Sequence, residues 1–140
     1  MEWVKELIDY GVIGFLLLMS VVALSVAVER FIVYRRIRVD HFSDKKALEL
    51  RLSGKLYIIA TIGSNAPYIG LLGTVLGIMM TFYSMGVEGF MDTGKIMVGL
   101  ALALKATAVG LVVAIPSIVA YNLLLRRVKV LLMRWEIENG

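Results

Sequence analysis

Along this chain, polar and apolar residues separate into blocks rather than alternating at a short period. Apolar runs cover Gly11–Val33, Tyr57–Met85 and Ile96–Leu125. Charged stretches lie between them at about 34–56 and 86–95, and a charged tail follows at 126–140. A helix crosses a bilayer with about 20 mostly apolar residues, and each run is long enough. The pattern predicts an all-α integral membrane protein: one membrane domain of three spans, with spans two and three joined as a long hairpin. The 34–56 segment is expected to carry a short surface helix.

Inside the second and third runs, small residues recur at steps of three and four. Gly63, Ala66, Gly70, Gly73, Gly77, Thr81 and Ser84 form one stripe, and Gly99, Ala103, Ala106, Gly110, Ala114 and Ser117 form another. Such steps place residues on one helix face. Lipid supplies no hydrophobic drive for helix pairing, so membrane helices associate through close backbone approach along small residues. Gly70, Gly73, Gly77, Ala103 and Gly110 are therefore expected to pack span two on span three. Pro67 and Pro116 each remove a backbone donor and are expected to kink their helices.

Composition agrees with the pattern. Of 140 residues, 59% are hydrophobic, and the mean hydropathy is +0.83; an ordinary soluble domain is ~45–50% apolar. The front end carries Glu2, Glu6 and Asp9 against Lys5, unlike the basic front of a signal peptide, so the first run reads as a retained helix. There is no cysteine, and His41 is the only histidine. Neither a metal centre nor any other cofactor site is expected. Trp3 reads as an interfacial anchor; Trp135 has no clear assignment.

The net charge of +4 and the pI near 9.5 would suit nucleic acid, but the bases gather beside the apolar runs. Eight lie from Arg30, near the end of the first run, to Lys55, just before the second, and Arg126, Arg127, Lys129 and Arg134 follow the third. The opposite ends hold only Lys5 and Lys95. Basic residues stay on the cytoplasmic side, which predicts an outside N-terminus and a cytoplasmic C-terminus.

Lys105 is the one charge inside the second and third runs. Counted back from Arg126, it falls at the outer border; counted forward from the 86–95 turn, it lies ~13–15 Å deep. Matched hairpin ends favour the deeper position, near the midplane and level with Thr74 and Thr107. A lysine there costs about 2.5–3.5 kcal/mol on insertion scales and demands a partner or a wet cavity. No carboxylate lies within the second and third runs, so the partner is expected on another chain, or Lys105 is neutral. The competing reading is a border lysine whose stem reaches water.

"IGSNAPYIGLLGTVLGIMMTF" (Ile62–Phe82) and "ATAVGLVVAIPSIVAYN" (Ala106–Asn122) resemble the paired signatures of the ExbB/TolQ family and, more distantly, flagellar MotA. The resemblance implies a proton-driven motor subunit of the bacterial inner membrane. It further implies a homopentamer around an ExbD- or TolR-like single-span partner with a membrane aspartate, and work delivered through a TonB- or TolA-like protein. Thr74 and Thr107 match the family's threonines that face the partner helices. A glutamate common five residues before the second threonine is Leu102 here, so no glutamate proton step carries over. The short chain is most like ExbB. A TolQ-type subunit, a non-conducting scaffold and a stand-alone transporter are the rival readings. A transporter would need an acidic coupling residue in the spans. No feature points to an enzyme.

Overall fold

A computed structural model describes residues 2–89 and 92–139; residues 90 and 91, in the expected outer loop, lie outside the described residues. Helix α1 runs Glu2–Arg36, a 3-10 turn covers Val39–His41, and α2 runs Lys45–Ser53. Helix α3 runs Leu56–Glu88 and α4 runs Thr93–Asn139. Among the described residues, α1, α3 and α4 are long and apolar enough to cross a membrane. No strand is present among them.

Local chemistry sets the helix ends. Gly89 ends α3 at φ 79°, its N–H donating to the Met85 carbonyl at 3.1 Å. A left-handed residue in this place favours glycine, which has no Cβ. At the start of α4, the Asp92 carboxylate accepts from the Gly94 and Lys95 N–H groups at 3.0 and 3.4 Å. Free donors at a helix start need such an acceptor. Asp44 does the same for α2, accepting from the Lys46 N–H at 3.1 Å.

The α3–α4 hairpin is built on backbone contact. Gly63, Ala66, Gly70, Gly73, Gly77 and Thr81 of α3 are buried, as are Gly99, Ala103, Ala106, Gly110, Ala114 and Ser117 of α4. A Cβ on Gly70 would stand 2.6 Å from the Ala106 carbonyl oxygen and 3.1 Å from the Gly110 Cα. One on Gly110 would stand 2.7 Å from the Ala66 carbonyl oxygen. Two seam hydroxyls are satisfied within their own helices: Thr81 Oγ1 donates to the Gly77 carbonyl at 2.9 Å and Ser117 Oγ to the Val113 carbonyl at 2.8 Å. Both helices continue through Pro67 and Pro116, each proline leaving the carbonyl four residues back, Gly63 or Val112, without its N–H.

Helix α1 packs on the hairpin through Leu16 and Ala23, against Ile62, Ala66, Val113 and Ala114. The second core lies at the basic end of the bundle, where Tyr34, Leu48, Leu52, Ile59, Val128 and Leu131 meet. The 34–56 segment is thus more than a surface strap. The i, i+4 pair Leu48 and Leu52 is fully buried, and α1 holds the C-terminal end of α2. Arg30 Nη1 donates to the Arg51 carbonyl at 2.9 Å, and the Tyr34 hydroxyl donates to the Leu52 carbonyl. Terminal carbonyls of a helix lack intrahelical partners, and two side chains one turn apart on α1 supply them. Glu29 binds the Arg30 guanidinium at 3.1 Å and the Lys55 ammonium at 2.9 Å.

The tail from residue 126 is not a separate element. α4 continues unbroken to Asn139, so the boundary after Leu125 is one of chemistry alone. Trp135 gains an assignment: its indole N–H donates to the Phe42 carbonyl at 2.8 Å, fixing the turn before α2 to α4.

Most apolar side chains on α1 face outward, Leu7, Phe15, Leu18 and Leu24 among them. An exposed apolar surface of this extent fits lipid or further protein chains, not water.

Gly110→Ala is expected to force the hairpin apart, at about 1–3 kcal/mol of overpacking. Gly86→Ala, where a Cβ meets nothing within 4 Å, is expected to be tolerated. Thermal unfolding in detergent compares the two. Tyr34→Phe should cost about 1 kcal/mol by orphaning the Leu52 carbonyl, read as faster proteolysis in 37–55; an unchanged cleavage rate there would contradict the cap.

Candidate functional site

The polar centre of the hairpin is Thr74. Its residue is 6% exposed, so its hydroxyl must find partners inside the protein. Thr74 Oγ1 lies 2.8 Å from the Ala103 carbonyl oxygen and 3.4 Å from the Gly70 carbonyl oxygen, and it is paired with Thr107 Oγ1. A hydroxyl has one proton to give. With the Thr74 proton given to Ala103 across the seam, the bond between the two threonines must use the Thr107 proton. The result is a directed chain: Thr107 O–H to Thr74 O–H to the Ala103 carbonyl. Thr107 is only partly buried. Its oxygen keeps acceptor capacity toward the edge of the hairpin.

This chain gives Thr107 two modes. A neutral donor, such as water or a protonated carboxyl, docks on its lone pairs and leaves the internal chain intact. A carboxylate would draw the Thr107 proton outward and remove the bond to Thr74. Thr107 can thus accept from a protonated carboxyl group or donate to an ionised one.

Lys105 does not join this pair. Two residues along a helix turn the side chain by about 200°, so Lys105 and Thr107 project from nearly opposite sides of α4. Lys105 is exposed, and no ion pair or hydrogen bond holds it among the described residues. The polar layer expected at one height is thus divided between two faces.

Its depth also changes. A Cβ on Gly73 would meet both the Ala106 Cβ at 2.8 Å and the Val12 Cγ1 at 2.9 Å. Ala106 is therefore level with Val12 of α1. The uncharged run of α1, Tyr10–Val28, lies between Asp9 and Glu29. At about 1.5 Å per residue it is ~28 Å long, close to the ~30 Å of a hydrocarbon core. Measured on α1, Lys105 stands within about one helical turn of Asp9, at the end of the span nearest the hairpin turn. The midplane depth inferred from matched hairpin ends differs from this one: on the α1 ruler, the excess length of α3 and α4 lies beyond the uncharged run of α1 on the turn side.

The remaining site residues lie along the same seam. Gly70, Gly73, Gly77, Ala103 and Gly110 surround Thr74 and keep the two backbones close enough for the bond to Ala103. Pro67 is half-buried and Pro116 exposed, both toward the basic end. Sequence reasoning missed Arg30 and Tyr34. Their i, i+4 spacing was visible, but the carbonyls they hold belong to a helix that only folding brings near. An open groove near the basic end is lined by Tyr57, Thr61 and Ser64 of α3 and by Tyr121 and Asn122 of α4.

The profile of the MotA/TolQ/ExbB proton channel family matches residues 42–137. The chain is 59% identical over 140 residues to the biopolymer transport protein ExbB of Aquifex aeolicus (strain VF5), covering 100% of this chain and 95% of that protein. It is 55% identical over 133 residues to a putative biopolymer transport protein ExbB-like 2 of Helicobacter pylori (strain ATCC 700392 / 26695), covering 95% and 89%. A Tol-Pal system protein TolQ of Pseudomonas aeruginosa is 41% identical over 87 residues, which are 62% of this chain and 38% of that protein. With the profile spanning most of the chain and near full-length relatives at 59% and 55% identity, this membrane protein of three candidate spans belongs to the MotA/TolQ/ExbB proton channel family.

Proposed function

We propose that the chain is an ExbB-type subunit of a proton-driven motor in the bacterial inner membrane. It works as a homo-oligomer, a pentamer by family resemblance, around an ExbD-like single-span protein with a membrane aspartate. It energises TonB-dependent transport across the outer membrane. The observation that carries the reading is the directed chain from Thr107 through Thr74 to the Ala103 carbonyl. It leaves Thr107 able to accept from a protonated carboxyl or to donate to an ionised one, as a proton cycle on a partner aspartate requires. The basic residues gathered at one end of the bundle support an outside N-terminus and a cytoplasmic C-terminus.

Lys105 serves in this reading as a cation at the turn-side mouth of the path. A cation favours the ionised form of a carboxyl group brought near it, which would speed proton release there. Its exposed side chain, without an ion partner among the described residues, suits a carboxylate from another chain.

A scaffold that binds its partner without conducting is the second reading, favoured by the complete satisfaction of Thr74 inside the hairpin. A TolQ-type role in envelope integrity is kept as a variant of the first. The match to TolQ covers far less of that protein than the matches to ExbB proteins do.

The two readings part on proton flux, measured in proteoliposomes containing the complex. Thr107→Val should lower flux at least about fivefold, the equivalent of one lost hydrogen bond, with the complex still assembled. Flux unchanged in an assembled Thr107→Val complex would favour the scaffold. Lys105→Met keeps the bulk and removes the charge; it should slow flux and shift its pH optimum upward, as the carboxyl group returns to a higher pKa. Wild-type flux and pH profile in Lys105→Met would remove the assigned role. Co-purification from native membranes should recover a small single-span protein with an aspartate in its span.

A further inference from the structure

The basic end of the bundle holds a concavity that neither the proton path nor the helix packing uses. It opens where the last turn of α1, the 3-10 turn and α4 meet, and it has a volume of about 270 Å³. Arg35, Arg38, Arg127 and Arg134 line it, with Asp40 and Glu138. Its floor is formed by Tyr34 and Leu131, which are 3% and 2% exposed.

The charges do not cancel. Four guanidinium groups face two carboxylates, and none of the four has a carboxylate within ion-pair distance among the described residues. Nearby carboxylates are engaged elsewhere: Glu29 with Arg30 and Lys55, and Glu136 with Lys45. Arg35 does lie over the Phe31 ring, 5.6 Å from its centre, a contact that leaves its N–H edges available. Like charges gathered from three elements into one concavity repel one another unless an anion neutralises them. The guanidinium fork fits phosphate oxygens two at a time.

Depth identifies the source of the anion. Arg35 follows the first apolar run by two residues and Arg127 follows the third by two. The headgroup zone on each side of a bilayer is roughly 5–7 Å thick. Arg35 stands seven residues past Val28, about 10 Å along α1. Its side chain, leaning toward the helix N-terminus and so toward the bilayer, reaches back to the lipid phosphates. Basic pockets between spanning helices at this depth hold anionic headgroups.

We infer that this pocket is a phosphate site, filled by the headgroup of an anionic phospholipid from the leaflet at the basic end. The occupant fastens α1 to α4 by its charge where protein ion pairs are missing. The inference stands apart from the proton-channel reading and needs only the membrane.

The test uses the full chain in nanodiscs of phosphatidylcholine, alone or mixed with phosphatidylglycerol, with Tm and the lipids retained in native mass spectrometry as readouts. Phosphatidylglycerol should raise Tm and be retained. In Arg38→Gln/Arg127→Gln it should bind roughly thirtyfold more weakly, about fivefold per arginine. In pure phosphatidylcholine this variant should match or exceed the wild-type Tm, because repulsion is relieved. Arg36→Gln/Arg126→Gln removes the same charge at the same border, outside the pocket, and should keep the lipid response. Equal loss in both variants would reduce the effect to general surface charge and overturn the site. A lower Tm of the pocket variant in phosphatidylcholine would make the arginines structural and overturn it too. Inorganic phosphate added to phosphatidylcholine nanodiscs separates the sources: no rise in Tm supports the lipid, and a rise equal to that from phosphatidylglycerol overturns the lipid assignment in favour of a soluble phosphate.

Discussion

The contact between the backbones of α3 and α4 at Gly70 and Gly110 is the constraint on which the rest depends. Each position lacks the Cβ that would strike a carbonyl oxygen of the other helix. In lipid, apolar side chains gain nothing by leaving their solvent, so the hairpin is held by close packing over a long seam. The same closeness brings Thr74 within hydrogen-bonding distance of the Ala103 carbonyl, a group normally engaged only in its own helix. Bulkier residues would hold the backbones apart, and the Thr74 hydroxyl would turn back to the Gly70 carbonyl alone. Packing and chemistry here share one cause.

The two ends of the molecule are held differently. Toward the turn, close-packed small residues suffice. At the basic end α1, α2 and α4 are joined by buried leucines, by side chains capping the α2 carbonyls, and by the Trp135 bond to Phe42. A segment leaving the membrane regains the hydrophobic effect, so Leu48 and Leu52 stabilise this end as they would in a soluble domain. Arg30 is the exception. It is 3% exposed, and its Nε has no hydrogen-bond partner. A buried guanidinium of this kind is costly unless neighbours satisfy it, and Glu29 with the Arg51 carbonyl does most of that.

Lys105 shows why a charge in an apolar run is hard to place from sequence. Its depth depends on which ruler is chosen, the hairpin turn or the apolar run of α1, and the two rulers are offset along the membrane normal. The offset is set by Val12 packing beside Gly73, a contact between segments some sixty positions apart. No local pattern encodes it. The division of Lys105 from the threonines is different: it follows from two residues of helical rotation and was open to inspection from the start.

What the chain alone determined were the features written in local composition. Three helices follow from runs too apolar for water; the seam follows from small residues at steps of three and four; the helix ends follow from Asp44, Gly89 and Asp92. Each depends on neighbours within a few positions, because backbone conformation and burial of a face are local choices. Tertiary structure decided which hydroxyl meets which carbonyl, which arginines are left unpaired, where α2 docks and how α1 is offset against the hairpin. Those depend on the mutual sliding and rotation of long helices. A stripe of small residues permits several such alignments, and one is selected only when all three helices and the buried collar at the basic end pack at once.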